Sequence, residues 1–579
     1  MNGIAAFEAR DISRRRADVL VGWLREYASN RINSRLIDER RCIPPYIILD
    51  FGNRGLLGMQ VPEAFGGLGL THADNLRVLE QLGAIDLTLA LVVFNHGVNG
   101  IRPIKGYATP AIRDEWLPRL ANGREMAGFA LSEPAAGVNV GRIASEARAD
   151  GSGGWRIRGL KRWNSSSWAG VISVFARVID ERGRPGGLTG FVVRQGSPGL
   201  RIGAEALTMG MRGSVQNSLF LNDVAVGAEH VLGQPGRGME VAEDALTIGR
   251  LCIAAVCLGG LKRCAQVMAR YAARRTVASG RLLENPLVLA ALGELAARIE
   301  TIEALKDQLA RRLDAGLAVP PEVPMAAKVV ASDSLNLAAG QLMQFLGGRG
   351  YMENNLASQI LRDARLYSVG EGPNEALTTQ IGRKARLTQA VDGYLRADPA
   401  GAEPARLLAE SLGEISDRCL NGPGPFADRS SALLWTDAVI GQVASDALML
   451  AAVRETHGQS TVEGRLRAID WAQVRLSRSL RRAREGEADE RFIPTACAAA
   501  ATVALYADSI GDVEQTLPGE ENSLDVYLSK TPGSDPDSPL AGLPGQAVVG
   551  DDDSPPAEQP RVVPPTDDSR RDLLAGMLR

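Results

Sequence analysis

The sequence predicts a mainly α-helical protein with a β-domain in its middle. Three observations carry that expectation. Apolar residues recur at helical spacing over residues 1–120, short alternating or β-branched runs take over across 121–237, and helical spacing returns over 238–390 and 400–515.

The elements follow in order. ADVLVGWLREYA and HADNLRVLEQLGAI make an N-terminal helical domain, with VPEAFGGLGL (61–70) as a Pro/Gly-punctuated loop between them. WRIRGLKRW, GVISVFARV, GLTGFVVR and NSLFLNDVAV are bounded by glycines and by Asp, Asn and Ser, as the strands of a small β-domain should be. MEVAEDALTIGRLCIAAVCLGGLKRCAQVMARYAARR and the segment 290–309 are long amphipathic helices and imply a bundle. DAVIGQVASDALMLAAVRE and GRLRAIDWAQVRLSRSLRRARE place an additional helical domain at 400–515, packed on the first. Residues 516–565 hold too much Pro, Gly, Asp and Ser to bury a core and read as a disordered linker. Beyond them 566–579 reads as a terminal helix with Leu573, Leu574, Met577 and Leu578 on one face.

Composition removes several function classes. A chain of 579 residues exceeds one ordinary core. A net charge of −3 with 45% apolar residues leaves no nucleic-acid footprint. No basic stretch precedes an apolar one at the N-terminus, so no secretory signal is expected. No run approaches the ~18–20 apolar residues of a spanning helix, so no transmembrane segment is expected either. The six cysteines show no zinc or redox spacing, which points to a reducing, cytoplasmic setting. His72, His96, His230 and His457 are dispersed, which argues against a metal site or a histidine triad.

The densest motif is QLMQFLGGRGYMENNLASQILRDARLYSVGEGPNE (341–375). It joins an apolar helix, a Gln-x-x-Gly-Gly-x-Gly turn, a second helix with Arg-Asp-x-Arg, and Glu371 inside a Gly-Glu-Gly-Pro break. Glycine flanks let a carboxylate approach a ligand closely and tolerate unusual φ, although a lone Glu beside Gly is as readily a solvated loop residue. Upstream stand GFALSEPAAG (128–137), GLKRWNSSSWAG (159–170), MGMRGSVQNSLFLNDVAV (209–226) and ARRTVASGRLLENP (273–286).

Together these motifs resemble those of the acyl-CoA dehydrogenase family, in a long form with a C-terminal helical extension; the resemblance covers roughly residues 1–390. It implies an N-terminal helical domain, a β-barrel-like middle domain and a C-terminal four-helix bundle, with FAD as cofactor. By the resemblance Glu371 is the catalytic base. Phe129, Leu131 and Ser132 would line the flavin, Trp163 would lie against it, and Ser165 would contact it or its phosphates. Arg275 would reach the pyrophosphate across a subunit interface, and Gln344, Gly347 and Gly348 would serve the neighbouring subunit's adenine end. Glu375 would complete the cofactor set, and Val138, Arg250 and Gly372 the substrate side. Arg212 and Ser214 are expected to tie the β-domain to the bundle.

The chain departs from the family pattern at Val138-Asn139 (usually Ser-Asp), Ala278-Ser279 (Phe-Gly) and Pro373 (Thr), and Ser165 stands for a commoner threonine. Some members carry their base just before the arginine of the long helix; that position is Gly249 here, which leaves Glu371 without a competitor. The implied activity is formation of a C2–C3 double bond in an acyl thioester carried on coenzyme A or a carrier protein. Electron-transfer flavoprotein is the implied acceptor, and a homodimer or homotetramer the implied assembly. Two other readings stay open at this point: a flavin oxidase or monooxygenase on the same fold, and a non-catalytic scaffold that binds acyl or carrier partners.

Overall fold

The computed structural model describes residues 2–511, apart from 138, 166–167, 181, 422–425, 427, 456–460 and 487–492. Val138, the linker expected at 516–565 and the terminal helix expected at 566–579 lie outside the described residues.

The N-terminal part is helical: α1 (Asn2–Arg31), α2 (Ser34–Arg40), α3 (Pro45–Asn53), α4 (His72–Ile85), α5 (Leu87–Phe94), α6 (Ile101–Tyr107) and α7 (Pro110–Ala121). Side-chain caps fix three of the starts. Asn33 accepts the Leu36 amide, Thr71 the Asp74 amide and Asp86 the Leu89 amide. Between α5 and α6 the chain widens into one turn of π-helix, Asn95–Gly100, a feature that often marks functional sites.

The middle part is one eight-stranded sheet of β1 (Met126–Ala130), β2 (Glu146–Ala149), β3 (Trp155–Asn164), β4 (Ala169–Ile179), β5 (Pro185–Arg194), β6 (Leu200–Glu205), β7 (Asn217–Val226) and β8 (Val231–Leu232). Its order is β6-β7-β3-β2-β4-β5-β8, with β1 beside β4. Both β1 and β2 run parallel to β4, at successive stretches of it, so the connection 131–145 leaves the sheet between them. Glu133 anchors that connection. Its buried carboxylate accepts the amides of Ala144 (2.6 Å) and Ser145 (3.1 Å) and the ammonium of buried Lys161 on β3 (2.7 Å).

A small hairpin, β9 (Thr276–Val277) and β10 (Gly280–Arg281), separates the first two of the helices α8 (Gly238–Arg274), α9 (Pro286–Asp314), α10 (Glu322–Leu346), α11 (Leu356–Val369) and α12 (Asn374–Leu387). The extension adds α13 (Ala390–Arg396), α14 (Ala402–Asn421), α15 (Arg429–Glu455) and α16 (Val462–Glu485). It shares one apolar cluster with the bundle and the N-terminal helices, running from Ala17 to Ala483. Glycines allow a close crossing of α12 and α15: a Cβ on Gly382 of α12 would lie 1.7 Å from the Asp437 carbonyl, and one on Gly441 of α15 would lie 1.9 Å from that of Thr378. Residues from Thr495 form a separate unit with two short exposed helices, α17 (Ala496–Ala504) and α18 (Tyr506–Ile510).

One expectation needs correction. Helices α8 and α15 are long and apolar enough to cross a membrane, contrary to the sequence reading that no run comes near that length. Most of each apolar stretch is buried in the protein, so they are core helices of the bundle and its extension.

The Arg-Asp-x-Arg motif docks the sheet onto the bundle. Asp363 Oδ1 accepts the Met211 amide at 2.6 Å, Met211 sits at φ 53°, and a Cβ on Gly210 would lie 2.4 Å from the Arg362 backbone. Arg362 and Arg212 both reach Asp38 on α2.

Candidate active site

Helix α11 closes with the Gly370 amide on the Leu366 carbonyl, and the chain then turns through Glu371 (φ 57°) and Gly372 (φ 99°) into α12. A left-handed glutamate costs on the order of 1 kcal/mol or more, so its surroundings must impose it. Pro373 fixes one side of the turn at φ −56°. Lys328 of α10, fully buried, donates to the Gly372 carbonyl and to Asn374 Oδ1, both at 2.7 Å. Asn374 in turn donates to Ser332 Oγ (2.9 Å) and Asp333 Oδ1 (2.6 Å). From α8, Arg250 Nε donates to the Glu371 carbonyl at 3.2 Å.

The half-buried Glu371 side chain points back toward α8 and the π-turn. Its Oε1 accepts Asn99 Nδ2 at 2.8 Å, and Asn99 Nδ2 also donates to Asn95 Oδ1 at 2.9 Å. Its Oε2 has no partner. Opposite stands Gly249, where a Cβ would lie 3.5 Å from Oε2. Burial raises the Glu371 carboxyl above the ordinary carboxylate range, against the opposing Asn99 hydrogen bond and the charges of Arg250 and Lys328. Burial also pushes the Lys328 ammonium down to about 8.

The π-turn joins this glutamate to the sheet. Asn95 and His96 line a cleft together with Met126, Ala127, Ser165, Trp168 and Ser214. His96 Nδ1 accepts the Ala127 amide at 3.0 Å while Nε2 donates to the Leu120 carbonyl at 3.0 Å. Burial lowers its pKa to about 4, so His96 is a neutral pin between π-turn and β1. The ends of β1 and β3 are laced beside it: Arg162 N–H donates to the Ser132 carbonyl (3.1 Å) and Lys161 to the Leu131 carbonyl (3.1 Å). Phe129 packs its ring 5.0 Å from Phe175. Ser165 Oγ accepts Gln216 Nε2 at 2.7 Å. Trp163 interrupts the β3–β7 ladder at φ 58° and is 54% exposed, which excludes the alternative of a tryptophan packed in the β-domain core.

Residues 17–124, 128–224 and 236–385 match the N-terminal, middle and C-terminal domains of acyl-CoA dehydrogenase. The chain belongs to the acyl-CoA dehydrogenase family. Members of this family are FAD-dependent oxidoreductases of fatty acid metabolism. The chain is 28% identical over 339 residues to the mouse mitochondrial short-chain specific acyl-CoA dehydrogenase, covering 58% of this chain and 82% of that one. Its fold matches an acyl-CoA dehydrogenase complexed with FAD from Bacillus anthracis (TM-score 0.66, 21% identity, 82% of this chain and 88% of that one). It also matches a prolyl acyl carrier protein oxidase (TM-score 0.61, 22% identity, 63% and 98%).

In this acyl-CoA dehydrogenase family member the expected site residues fall into three groups. Glu371, Arg250 and Gly372 meet at one turn, and Phe129, Leu131, Ser132, Trp163 and Ser165 gather where β1 and β3 end. Arg275, Gln344, Gly347, Gly348 and Glu375 are exposed, and a Cβ on Gly347 or Gly348 would meet nothing. Arg275 caps the far end of α8, about 39 Å along the helix from Gly249 at about 1.5 Å per residue. The second group offers an exposed indole, a hydroxyl-lined cleft and, next to Trp163, a buried orphan donor and acceptor at Asn164 Nδ2 and Asn217 Oδ1. Mixed donors and acceptors beside an aromatic suit the edge of a flavin. Sequence reasoning missed Asn99, Lys328 and Asn374. One available signal was a lysine set alone in the apolar run MAAKVVAS, and another was the polar NHGVNG breaking an apolar helix.

Proposed function

We propose that this chain is an FAD-dependent acyl-thioester dehydrogenase that forms a C2–C3 double bond with Glu371 as its base. The observation that carries the reading is the Glu371 carboxylate, with one oxygen pinned by Asn99 and the other free. A general base needs an unoccupied oxygen, a fixed orientation and a pKa raised toward the working pH, and this turn supplies all three. Oε1 stays on Asn99 while Oε2 takes the substrate's α-proton. The Glu371 amide lies just past the last hydrogen bond of α11 and bonds no backbone carbonyl among the described residues, so it can donate to the thioester oxygen as charge develops there. Arg250 and Lys328 hold that amide's turn and lower the cost of the negative charge.

Phe129, Leu131, Ser132, Trp163 and Ser165 would hold the flavin end of FAD. Arg275, Gln344, Gly347 and Gly348, all exposed, would serve the cofactor of a second copy in a homodimer or homotetramer, and Glu375 would complete the cofactor set. Bound FAD supplies the hydride acceptor, and electron-transfer flavoprotein is the acceptor proposed beyond it. Coenzyme A and a carrier protein are both candidate carriers of the acyl group.

Anaerobic mixing with an acyl thioester tests the base. Glu371→Gln should keep FAD and bind thioester but bleach its flavin roughly 10²–10⁴-fold more slowly. A near wild-type rate would remove Glu371 from the mechanism.

A further inference from the structure

Asn99 is 6% exposed, and its amide nitrogen is fully committed to Asn95 Oδ1 and Glu371 Oε1. Those two acceptors fix which way the carboxamide faces, because turning it over would set oxygen against carboxylate. Its Oδ1 is therefore an acceptor, and it is buried without a partner, as is Glu371 Oε2. Both oxygens converge on one small space. The point where a Cβ on Gly249 would stand is 3.3 Å from Asn99 Oδ1 and 3.5 Å from Glu371 Oε2.

Several neighbouring donors are engaged elsewhere. Arg250 Nε is on the Glu371 carbonyl and Lys328 is on Gly372 and Asn374. Arg102, one turn on from Asn99, is held in a two-pronged pair with Asp244 at 2.7 and 2.8 Å. A plain alkyl acyl group lying here would bury Oδ1 with nothing to bond, and an orphaned buried acceptor is costly.

On this basis, and resting on the dehydrogenase reading above, we infer that the substrate's acyl group carries a hydrogen-bond donor, a hydroxyl or an amine, on its α- or β-carbon, seated over Gly249 against Asn99 Oδ1. The place on the acyl chain follows from the base. Oε2 must meet the α-hydrogen, so a group close enough to that hydrogen to share this small space and touch Oδ1 sits two or three bonds from it, on Cα or Cβ. The reaction balances as before: the α-proton goes to Oε2, a hydride leaves Cβ for the flavin of FAD, and the donor's own O–H or N–H bond stays intact. A site built to bond a donor rejects the analogue that lacks it far more strongly than an apolar pocket rejects an extra hydroxyl.

The test uses the FAD-loaded full-length enzyme and pantetheine thioesters of butyrate, 2-hydroxybutyrate, 3-hydroxybutyrate and 2-aminobutyrate, with anaerobic flavin bleaching as readout. At least one polar thioester should exceed butyryl by about tenfold or more in bleaching efficiency, and the hydroxy and amino arms tell which donor fits. Gly249→Ala, which fills the space while leaving the Asn99–Glu371 bond in place, should erase that preference, so that within the variant the polar thioesters bleach the flavin no faster than butyryl does. Equal or better use of butyryl by the wild type overturns the inference and would mean that water alone satisfies Asn99. A preference that survives in Gly249→Ala overturns it too. Failure of all four thioesters to bleach the flavin strikes instead at the dehydrogenase reading on which it rests.

Discussion

The turn at Glu371 and the far end of α8 are built in opposite ways. Around Glu371 the main-chain carbonyls of residues 371 and 372 and the Asn374 side chain are held by groups of the same chain, while Glu371 Oε2, Asn99 Oδ1 and the Glu371 amide stay open. At the other end Arg275, Gln344, Gly347 and Gly348 face solvent, with open space over both glycines. Under the proposed function, proton abstraction is set up by one chain, while retention of the cofactor waits on a second. Mutations at the two places should therefore fail in different ways: at the first in rate, at the second in FAD occupancy and assembly.

Breaking the buried half should produce the largest effects. After Glu371→Gln comes Lys328→Met, which strips a buried cation from the Gly372 carbonyl and Asn374 and frees a turn that holds two residues at positive φ. Bleaching should slow by about 100-fold with FAD content retained, because misplacing a catalytic group by an ångström costs that much. The pH profile separates positioning from mere folding. The wild-type rate should rise as Glu371 loses its proton, above the ordinary carboxylate range, and fall again above about 8 as Lys328 loses its charge. Lys328→Met should keep the acid limb and lose the alkaline one; a variant that retains both limbs would dismiss Lys328 from the site.

The exposed half can be broken by mixing. If Arg275 serves the partner's cofactor, each site of a dimer holds Glu371 from one chain and Arg275 from the other. Co-expressed Glu371→Gln and Arg275→Ala chains would then form mixed dimers in which one site carries both lesions and the other none. Activity should return to roughly a quarter of wild type for random pairing of equal amounts, from two nearly inactive parents. Mixed dimers with no more activity than their parents would place Arg275 in its own chain's site or in none.

The same contrast explains what could be read from the sequence. The helical and alternating periodicities are local, so the order of helices, sheet and bundle was legible, whereas Glu371 stood out only through the resemblance of its motif to the family's. Its partners did not. Asn99 lies 272 positions from Glu371 and Lys328 lies 44 from Gly372, separations at which no periodicity speaks. Trp163 left two readings, flavin contact or β-domain core, because strand propensity does not reveal a bulge at positive φ; its exposure removes the second. Apolar run length also misled, since a helix interrupted by a few charges, such as α8, is still long and apolar enough to qualify as a membrane span until its burial is seen.

The smallest expected effect sharpens the buried half by asking what its base costs the fold. Burial lifts the Glu371 pKa above its unfolded value, so the folded protein binds that proton more tightly than the unfolded chain does. The stability linked to it is present below the unfolded carboxyl pKa and is lost as pH rises through the higher folded one. Glutamine carries no charge and escapes the loss, though it also gives up the attraction of Arg250 and Lys328, which offsets part of the gain. Glu371→Gln should therefore melt within error of wild type near about pH 4, and about 1–2 °C higher near about pH 8.5, when FAD-loaded enzymes are compared by thermal denaturation. A lower midpoint for the variant at alkaline pH would mean that the two cations outweigh burial. The carboxylate would then be an ordinary ion-paired one, with no raised pKa to suit it as a base.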